Sequence, residues 1–214
     1  MTAELFVKTP VVPVVVIDDA FKAIDLADAL LSAGIEVVEI TLRTDAGLES
    51  IERISSERSG MCVGAGSIRR RDQIATSIDA GASFCVSPGY TRKIIAEAQR
   101  REALLIPGAS SAAELLQLVE YGYSFVKFFP AELLGGIAML KALSAPMPEV
   151  QFFPTGGISA ELAGLYLDLD YVPCVGGSWF VPAEKISDAD FDWIFNQARK
   201  AMEISASALE KNLQ

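Results

Sequence analysis

Histidine is absent from the whole chain, cysteine occurs only three times, and the longest apolar runs stop well short of a membrane span. Each absence excludes something. Without histidine there is no Ser-His-Asp or Cys-His machinery and no His-ligated metal, so proton transfer falls to carboxylates, lysine, tyrosine or water. Cys62, Cys85 and Cys174 are odd in number, lie in separate apolar runs and share no metal-ligand spacing. That pattern fits reduced core thiols rather than a disulfide framework or a metal site. Crossing a bilayer takes roughly 18 uninterrupted apolar residues, and Met1 to Lys8 lacks the layout of a signal peptide. The expectation is a cytoplasmic protein without a membrane partner. Basic charge is also scarce, with 18 Lys and Arg against 28 Asp and Glu, a net charge of −10 and a pI near 4.6. Such a field repels a phosphate polymer, so nucleic acid is disfavoured as a partner. Arg69-Arg70-Arg71 is a local exception, but it follows a turn and opens a polar helical stretch, which predicts a solvated helix face.

What is present is an apolar, repetitive chain. With 214 residues, 51% of them hydrophobic, it can bury one large core, and a single domain over 1–214 is expected. Eight β-rich runs follow one another: Val11-Ile17, Ile35-Leu42, Met61-Ala65, Ser83-Val86, Ala103-Ile106, Ser124-Phe129, Val150-Pro154 and Tyr171-Val175. Between them apolar residues recur at helical spacing, as at Ala20, Ile24, Ala27, Leu30 and Leu31, or Ala113, Leu116, Val119 and Glu120. Most of the strand runs are continuously hydrophobic, the mark of parallel strands covered on both faces. Eight βα units of about 27 residues fit the lower size range of a (β/α)8 TIM barrel. A doubly wound open sheet is the alternative, but Val11-Ile17 runs into Asp18-Asp19 without the glycine-rich turn that fold favours.

The misfit residues carry the chemistry. Lys127 lies inside Ser124-Phe125-Val126-Lys127-Phe128-Phe129-Pro130, an amine in a strand that otherwise reads as buried. Burying an ammonium costs several kcal/mol, and burial favours the neutral, nucleophilic amine. The lysine is therefore either a Schiff-base nucleophile or a side chain that snorkels to the rim or meets a carboxylate. In a barrel of this kind the active site lies at the C-terminal strand ends. There the second strand places Glu39 and Thr41 on one face, with Arg43 just beyond. Glu39 is expected to point inward, as a partner for a buried cation, a general base, or both. Arg43 offers a planar fork for a carboxylate or phosphate, though a rim arginine equally pairs with a nearby acid such as Asp45. Glycine turns are expected after the third strand (Gly64-Ala65-Gly66-Ser67), the seventh (Thr155-Gly156-Gly157) and the eighth (Gly176-Gly177-Ser178). The last two occupy the usual phosphate position of this fold.

With Glu39, Arg43, Phe125-Val126-Lys127-Phe128-Phe129-Pro130-Ala131-Glu132 and both late glycine segments in order, the chain resembles the bacterial 2-keto-3-deoxy-6-phosphogluconate (KDPG) aldolases. The likeness runs from Pro10-Val11-Val12-Pro13-Val14 through Gly81-Ala82-Ser83-Phe84 and Ser87-Pro88-Gly89 to the final helix. It implies a (β/α)8 barrel, usually a homotrimer, that is a class I aldolase needing neither metal nor cofactor. Its substrate would be KDPG, split to pyruvate and D-glyceraldehyde 3-phosphate, with the galactonate epimer and 4-hydroxy-2-oxoglutarate left open. By resemblance Lys127 forms the Schiff base and Glu39 is the acid/base. Arg43 and Ser67 bind the pyruvate carboxylate; Pro88, Phe129 and Thr155 contact substrate; and Gly156, Gly157, Gly176, Gly177 and Ser178 cradle the phosphate. Ser67 stands where the family often has threonine, and the segment before Pro10 looks short for the helix that usually plugs the barrel bottom. An isomerase or epimerase of a phosphorylated sugar, or a non-catalytic phosphometabolite-binding barrel, would use the same scaffold.

Overall fold

The structure is a computed structural model that describes residues 3–6 and 8–211. Strands and helices alternate: β1 Val11–Val15, α1 Ala23–Ser32, β2 Val37–Thr41, α2 Ala46–Glu57, β3 Cys62–Gly66, α3 Arg71–Asp79, β4 Phe84–Val86 and α4 Arg92–Arg100. The fifth run holds β5 Leu105–Ile106, and β6 Gly108–Ala109 lies just beyond it, followed by α5 Ala112–Glu120, β7 Phe125–Phe128, α6 Gly136–Ser144, β8 Gln151–Pro154 and α7 Ala160–Leu167. β9 Val175–Gly177, α8 Ala183–Ser187 and the long α9 Phe191–Lys211 complete the order. Helix starts follow local chemistry. Thr91, Ser111 and Ser159 each accept a backbone N–H from the first turn of α4, α5 and α7, satisfying donors that a helix leaves orphaned.

Every strand pairing is parallel, in a curled six-stranded sheet β5-β4-β3-β2-β1-β9 and a three-stranded sheet β6-β7-β8. An isolated bridge from Thr155 to Gly176 links the end of β8 to β9. All eight apolar runs contain a strand, but four details differ from expectation. Just past the fifth run, Pro107, which lacks an N–H, separates β5 from an additional short strand, β6, that pairs in the other sheet. Gly64 and Gly66 belong to β3, and Gly176 and Gly177 to β9, so these glycines lie within strands instead of following them. The eighth strand begins only at Val175, where pairing with Val11 starts. The α5 face is also rotated: Leu115 and Leu118 are buried while Leu116 is 57% exposed.

Alternation along the strands divides the core in two. Val11, Val15, Val38, Ile40, Val63, Ala65, Cys85, Val126, Phe152 and Val175 pack outward against the helices. Phe6, Val12, Val37, Phe84, Val86, Ile106, Phe125, Phe153 and Cys174 form a second cluster on the concave side. Phe6, from a 3-10 turn over Ala3–Phe6, has ring centroids 5.4, 5.6 and 5.7 Å from Phe84, Phe125 and Phe153. The short segment before Pro10 therefore still places one aromatic plug at the N-terminal strand ends.

Candidate active site

On β7, Phe125 and Lys127 share the concave face, and Lys127 stands one alternation nearer the C-terminal end. β2 repeats the arrangement with Val37 below Glu39. The amine and carboxylate meet: Lys127 Nζ is 3.2 Å from both Oε1 and Oε2 of Glu39. The side chains are only 6% and 1% exposed, respectively, so the lysine does not snorkel to the rim. Its Nζ also lies 5.6 Å from the ring centroids of Phe129 and Phe153, within the range where an aromatic face attracts a cation. Space for Glu39 comes from Gly66, because a Cβ there would collide with the Glu39 carboxyl group. Gly64 makes room for the Phe84 ring in the same way. Just below, burial raises the Cys174 thiol well above its ordinary pKa, and the charge of Glu39 adds to the shift. All three cysteines are free thiols, with Cys85 and Cys174 buried.

The remaining sequence-selected residues form a rim around this pair. Beyond β2, Arg43 donates its Nε–H to the Ser67 hydroxyl over 3.0 Å. Ser67 holds φ at 59°, a left-handed conformation sparsely used by residues with side chains. The Thr155–Gly176 bridge brings the two late glycine segments side by side. Gly156 and Gly157 take φ values of 103° and 81°, the positive range that glycine tolerates. A Cβ on Gly156 would come 3.2 Å from the Phe129 ring, and one on Gly177 would collide with the Trp179 ring. Thr155 is buried and Ser178 exposed. Pro88 is exposed too, on the turn after β4, with its backbone against Gly108, the β6 residue paired with Lys127. The triple arginine is exposed at the start of α3, and Arg70 is paired with Asp72.

Two neighbours of the site are not apparent from sequence reasoning. Phe153 pairs with Lys127 in register across β7 and β8, and strand alternation in Val150-Pro154 would have found it once the pairing was known. Tyr166 on α7 donates a 2.5 Å hydrogen bond to Glu132 Oε1. Nothing in the local pattern links these residues, because only the fold brings them together.

Comparison with known proteins decides the lineage. Residues 3–197 match the family model described as KDPG and KHG aldolase. The chain belongs to that family. It is 42% identical over 199 residues to the 2-dehydro-3-deoxy-phosphogluconate aldolase of Pseudoalteromonas atlantica, covering 93% of each protein. It is 42% identical over 194 residues to the KHG/KDPG aldolase of Escherichia coli K12, covering 91% of each. Among solved structures, it superposes with a TM-score of 0.91 and 40% identity on the KDPG aldolase of Legionella pneumophila, covering 94% of this chain and 98% of that one. In that crystal structure pyruvate is captured as a covalent carbinolamine intermediate. The aldolase described here is thus a carbon–carbon lyase, and the sequence resemblance to this family holds. No described helix of the aldolase is long and apolar enough to cross a membrane.

Proposed function

We propose that this aldolase cleaves KDPG to pyruvate and D-glyceraldehyde 3-phosphate through a Schiff base on Lys127. The observation that carries the reading is the buried Lys127–Glu39 pair, 3.2 Å apart at the C-terminal strand ends. A buried ion pair is a poor device for stability, since desolvation offsets the Coulombic gain. Its value here is chemical. Neutral Lys127 adds to the C2 carbonyl to give a carbinolamine, which loses water to become an iminium. Glu39, directly or through a water, removes the proton from the C4 hydroxyl. The C3–C4 bond then breaks, its electron pair moves toward the iminium nitrogen as an enamine, and the aldehyde departs. Protonation of C3 and hydrolysis release pyruvate and restore the amine. The faces of Phe129 and Phe153, each 5.6 Å from Nζ, favour the cationic iminium over its neutral precursors.

Arg43 and Ser67 are assigned to the pyruvate carboxylate, and Thr155 with Pro88 and Phe129 to the substrate chain. The N–H groups of Gly156, Gly157, Gly176 and Gly177, with the Ser178 hydroxyl, are assigned to the phosphate. The adjacency of the two glycine segments through the Thr155–Gly176 bridge supports a single anion cradle. That bridge, together with β5 and β6 following one another around Pro107, also supports closure of both sheets into one (β/α)8 barrel and a single domain. The free thiols suit a reducing cytoplasm. The homotrimer rests on the family resemblance and is checked by sedimentation. The deciding experiment is pyruvate with borohydride. One reduced pyruvyl imine per chain is expected on the peptide carrying Lys127. An adduct on another lysine, or none, overturns the assignment and favours an isomerase or binding barrel. For the phosphate, Ser178→Asp should penalise KDPG over its non-phosphorylated analogue through charge repulsion. Ser178 suits this test because Gly177 is packed against Trp179.

A further inference from the structure

Glu132 and Tyr166 form a short polar contact beside the site that the reaction above leaves unused. Tyr166 on α7 is fully buried, and its phenol donates to Glu132 Oε1 over 2.5 Å. Burial pushes the phenol above its ordinary pKa, and the Glu132 carboxylate pushes it further, so the phenol stays a donor. Glu132 follows β7, in the turn directly after the lysine strand, and this turn is stitched to the end of β8. Ala131 N–H donates to Thr155 O over 2.9 Å, and Glu132 N–H donates to Gly156 O over 3.1 Å. The Glu132 side chain lies directly beneath the glycine turn, where a Cβ on Gly157 would come 2.8 Å from Glu132 Cβ. One residue thus touches the glycine turn with its backbone and side-chain stem while its carboxylate is anchored to the following helix.

We infer that the Glu132–Tyr166 hydrogen bond is a positioning clasp that fixes the Thr155–Gly157 turn for the phosphorylated end of the substrate, and so sets the preference for phosphorylated over non-phosphorylated substrates. The inference rests on the assignment of the phosphate to this turn. Gly156 and Gly157 have positive φ and no side chains of their own to hold them, so a turn aimed by its N–H groups needs an external brace. The clasp supplies one from two elements at once, β7 through Glu132 and α7 through Tyr166. It touches neither the amine nor the reacting carbons, so imine formation with pyruvate is independent of it.

The test is Tyr166→Phe, which keeps the ring and removes the donor. Kinetic constants are measured for KDPG and for 2-keto-3-deoxygluconate, together with the borohydride adduct of pyruvate. Because Glu132 is half-exposed, the bond is worth about what an ordinary hydrogen bond is, enough to lower the KDPG preference by roughly three- to tenfold. The loss should fall mainly in KM, with the pyruvate adduct unchanged. Glu132→Gln retains a neutral acceptor oxygen for the phenol and should therefore lower the preference less than Tyr166→Phe does. If Tyr166→Phe does not fold, Glu132→Leu breaks the same bond from its half-exposed side. A wild type that prefers KDPG, with either bond-breaking variant keeping the wild-type ratio, overturns the clasp and leaves the phosphate assignment standing. A wild type without preference for KDPG overturns the phosphate assignment itself.

Discussion

The concave side of the strands is built in two different ways along its length. At the N-terminal ends, Phe6, Phe84, Phe125 and Phe153 pack ring to ring with Val12, Val37 and Cys174. At the C-terminal ends, the same strands present Glu39, Lys127, Thr155 and a row of glycines. The change happens within single strands: Phe125 and Lys127 are one alternation apart, as are Val37 and Glu39. One end contributes stability by excluding water from aromatic surface. The other retains groups that cost stability and gain their use from chemistry. The aromatic end also serves the polar one, because its rings exclude solvent from beneath the amine and keep the pair in a low dielectric.

Exchanging the polar end's amine for a permanent cation breaks this division most sharply. Lys127→Arg preserves positive charge beside Glu39 but removes the nucleophile. Turnover and the borohydride adduct should both vanish while far-UV circular dichroism and the melting transition persist. Residual aldol cleavage at a few percent of wild type would move the Schiff base elsewhere.

The next largest effect belongs to Glu39→Gln, which keeps a hydrogen-bonding partner for Lys127 and deletes the proton carrier. Proton transfer by a positioned group is worth about 10²–10⁴-fold. Exchange of the methyl protons of bound pyruvate should slow by that order, with pyruvate affinity changed far less. Unchanged exchange would make Glu39 a structural partner of the amine and nothing more.

At the aromatic end the expectation reverses. Phe6→Ala removes a fully buried ring from contact with three others and should destabilise by about 3–5 kcal/mol. A loss of that size corresponds to a Tm lower by roughly 10 °C for a chain of this length. Below the melting transition, the fraction of chains trapped as the pyruvate adduct should match the wild type. A fall in adduct formation matching the fall in stability would show that the two ends are not separable.

How far these contrasts can be read from sequence depends on whether the signal is local. Lys127 is conspicuous because a charge interrupts an apolar run, and strand alternation alone turns Glu39 inward toward it. The eight apolar runs mark strands because each is buried on both faces. The misread features all depend on neighbours. Gly64, Gly66, Gly176 and Gly177 look like turn residues, yet each sits in a strand because Phe84, Glu39, Thr155 or Trp179 occupies the space a Cβ would take. β6, the two-residue strand beyond Pro107, is too short to mark itself in composition and exists because Gly108 and Ala109 pair with β7. The buried stripe of α5 passes through Leu115 and Leu118 because the sheet, and not the helix's own periodicity, selects which apolar residues face in. The Glu132–Tyr166 bond joins residues whose sequence neighbourhoods carry no shared pattern.

The smallest expected effect tests whether the interior is sealed where the two ends meet, at Cys174. This thiol is fully buried in the aromatic cluster and raised well above its ordinary 9.0 by burial, with the charge of Glu39 adding to it. Cys85, on the outer face of β4, is raised to about 12 by burial alone. A thiol with a raised folded pKa stays protonated in the folded chain after the unfolded chain has ionised. Its contribution is whole below pH 9 and is lost as pH rises from there toward the folded value, near 12 for Cys85. Between pH 8 and pH 10 each such thiol should therefore remove on the order of 1 kcal/mol of stability. Urea melts at the two pH values, on the wild type, Cys174→Ala and Cys85→Ala, isolate the effect. Each variant loses packing at both pH values, but its drop from pH 8 to pH 10 should be smaller than the wild type's by that amount. The raised phenols of Tyr123 and Tyr166 contribute equally to all three proteins and cancel. If Cys85→Ala reduces the drop and Cys174→Ala does not, water reaches the thiol beneath Glu39. The aromatic end would then not shield the catalytic pair, and the division of labour along the strands would reduce to proximity.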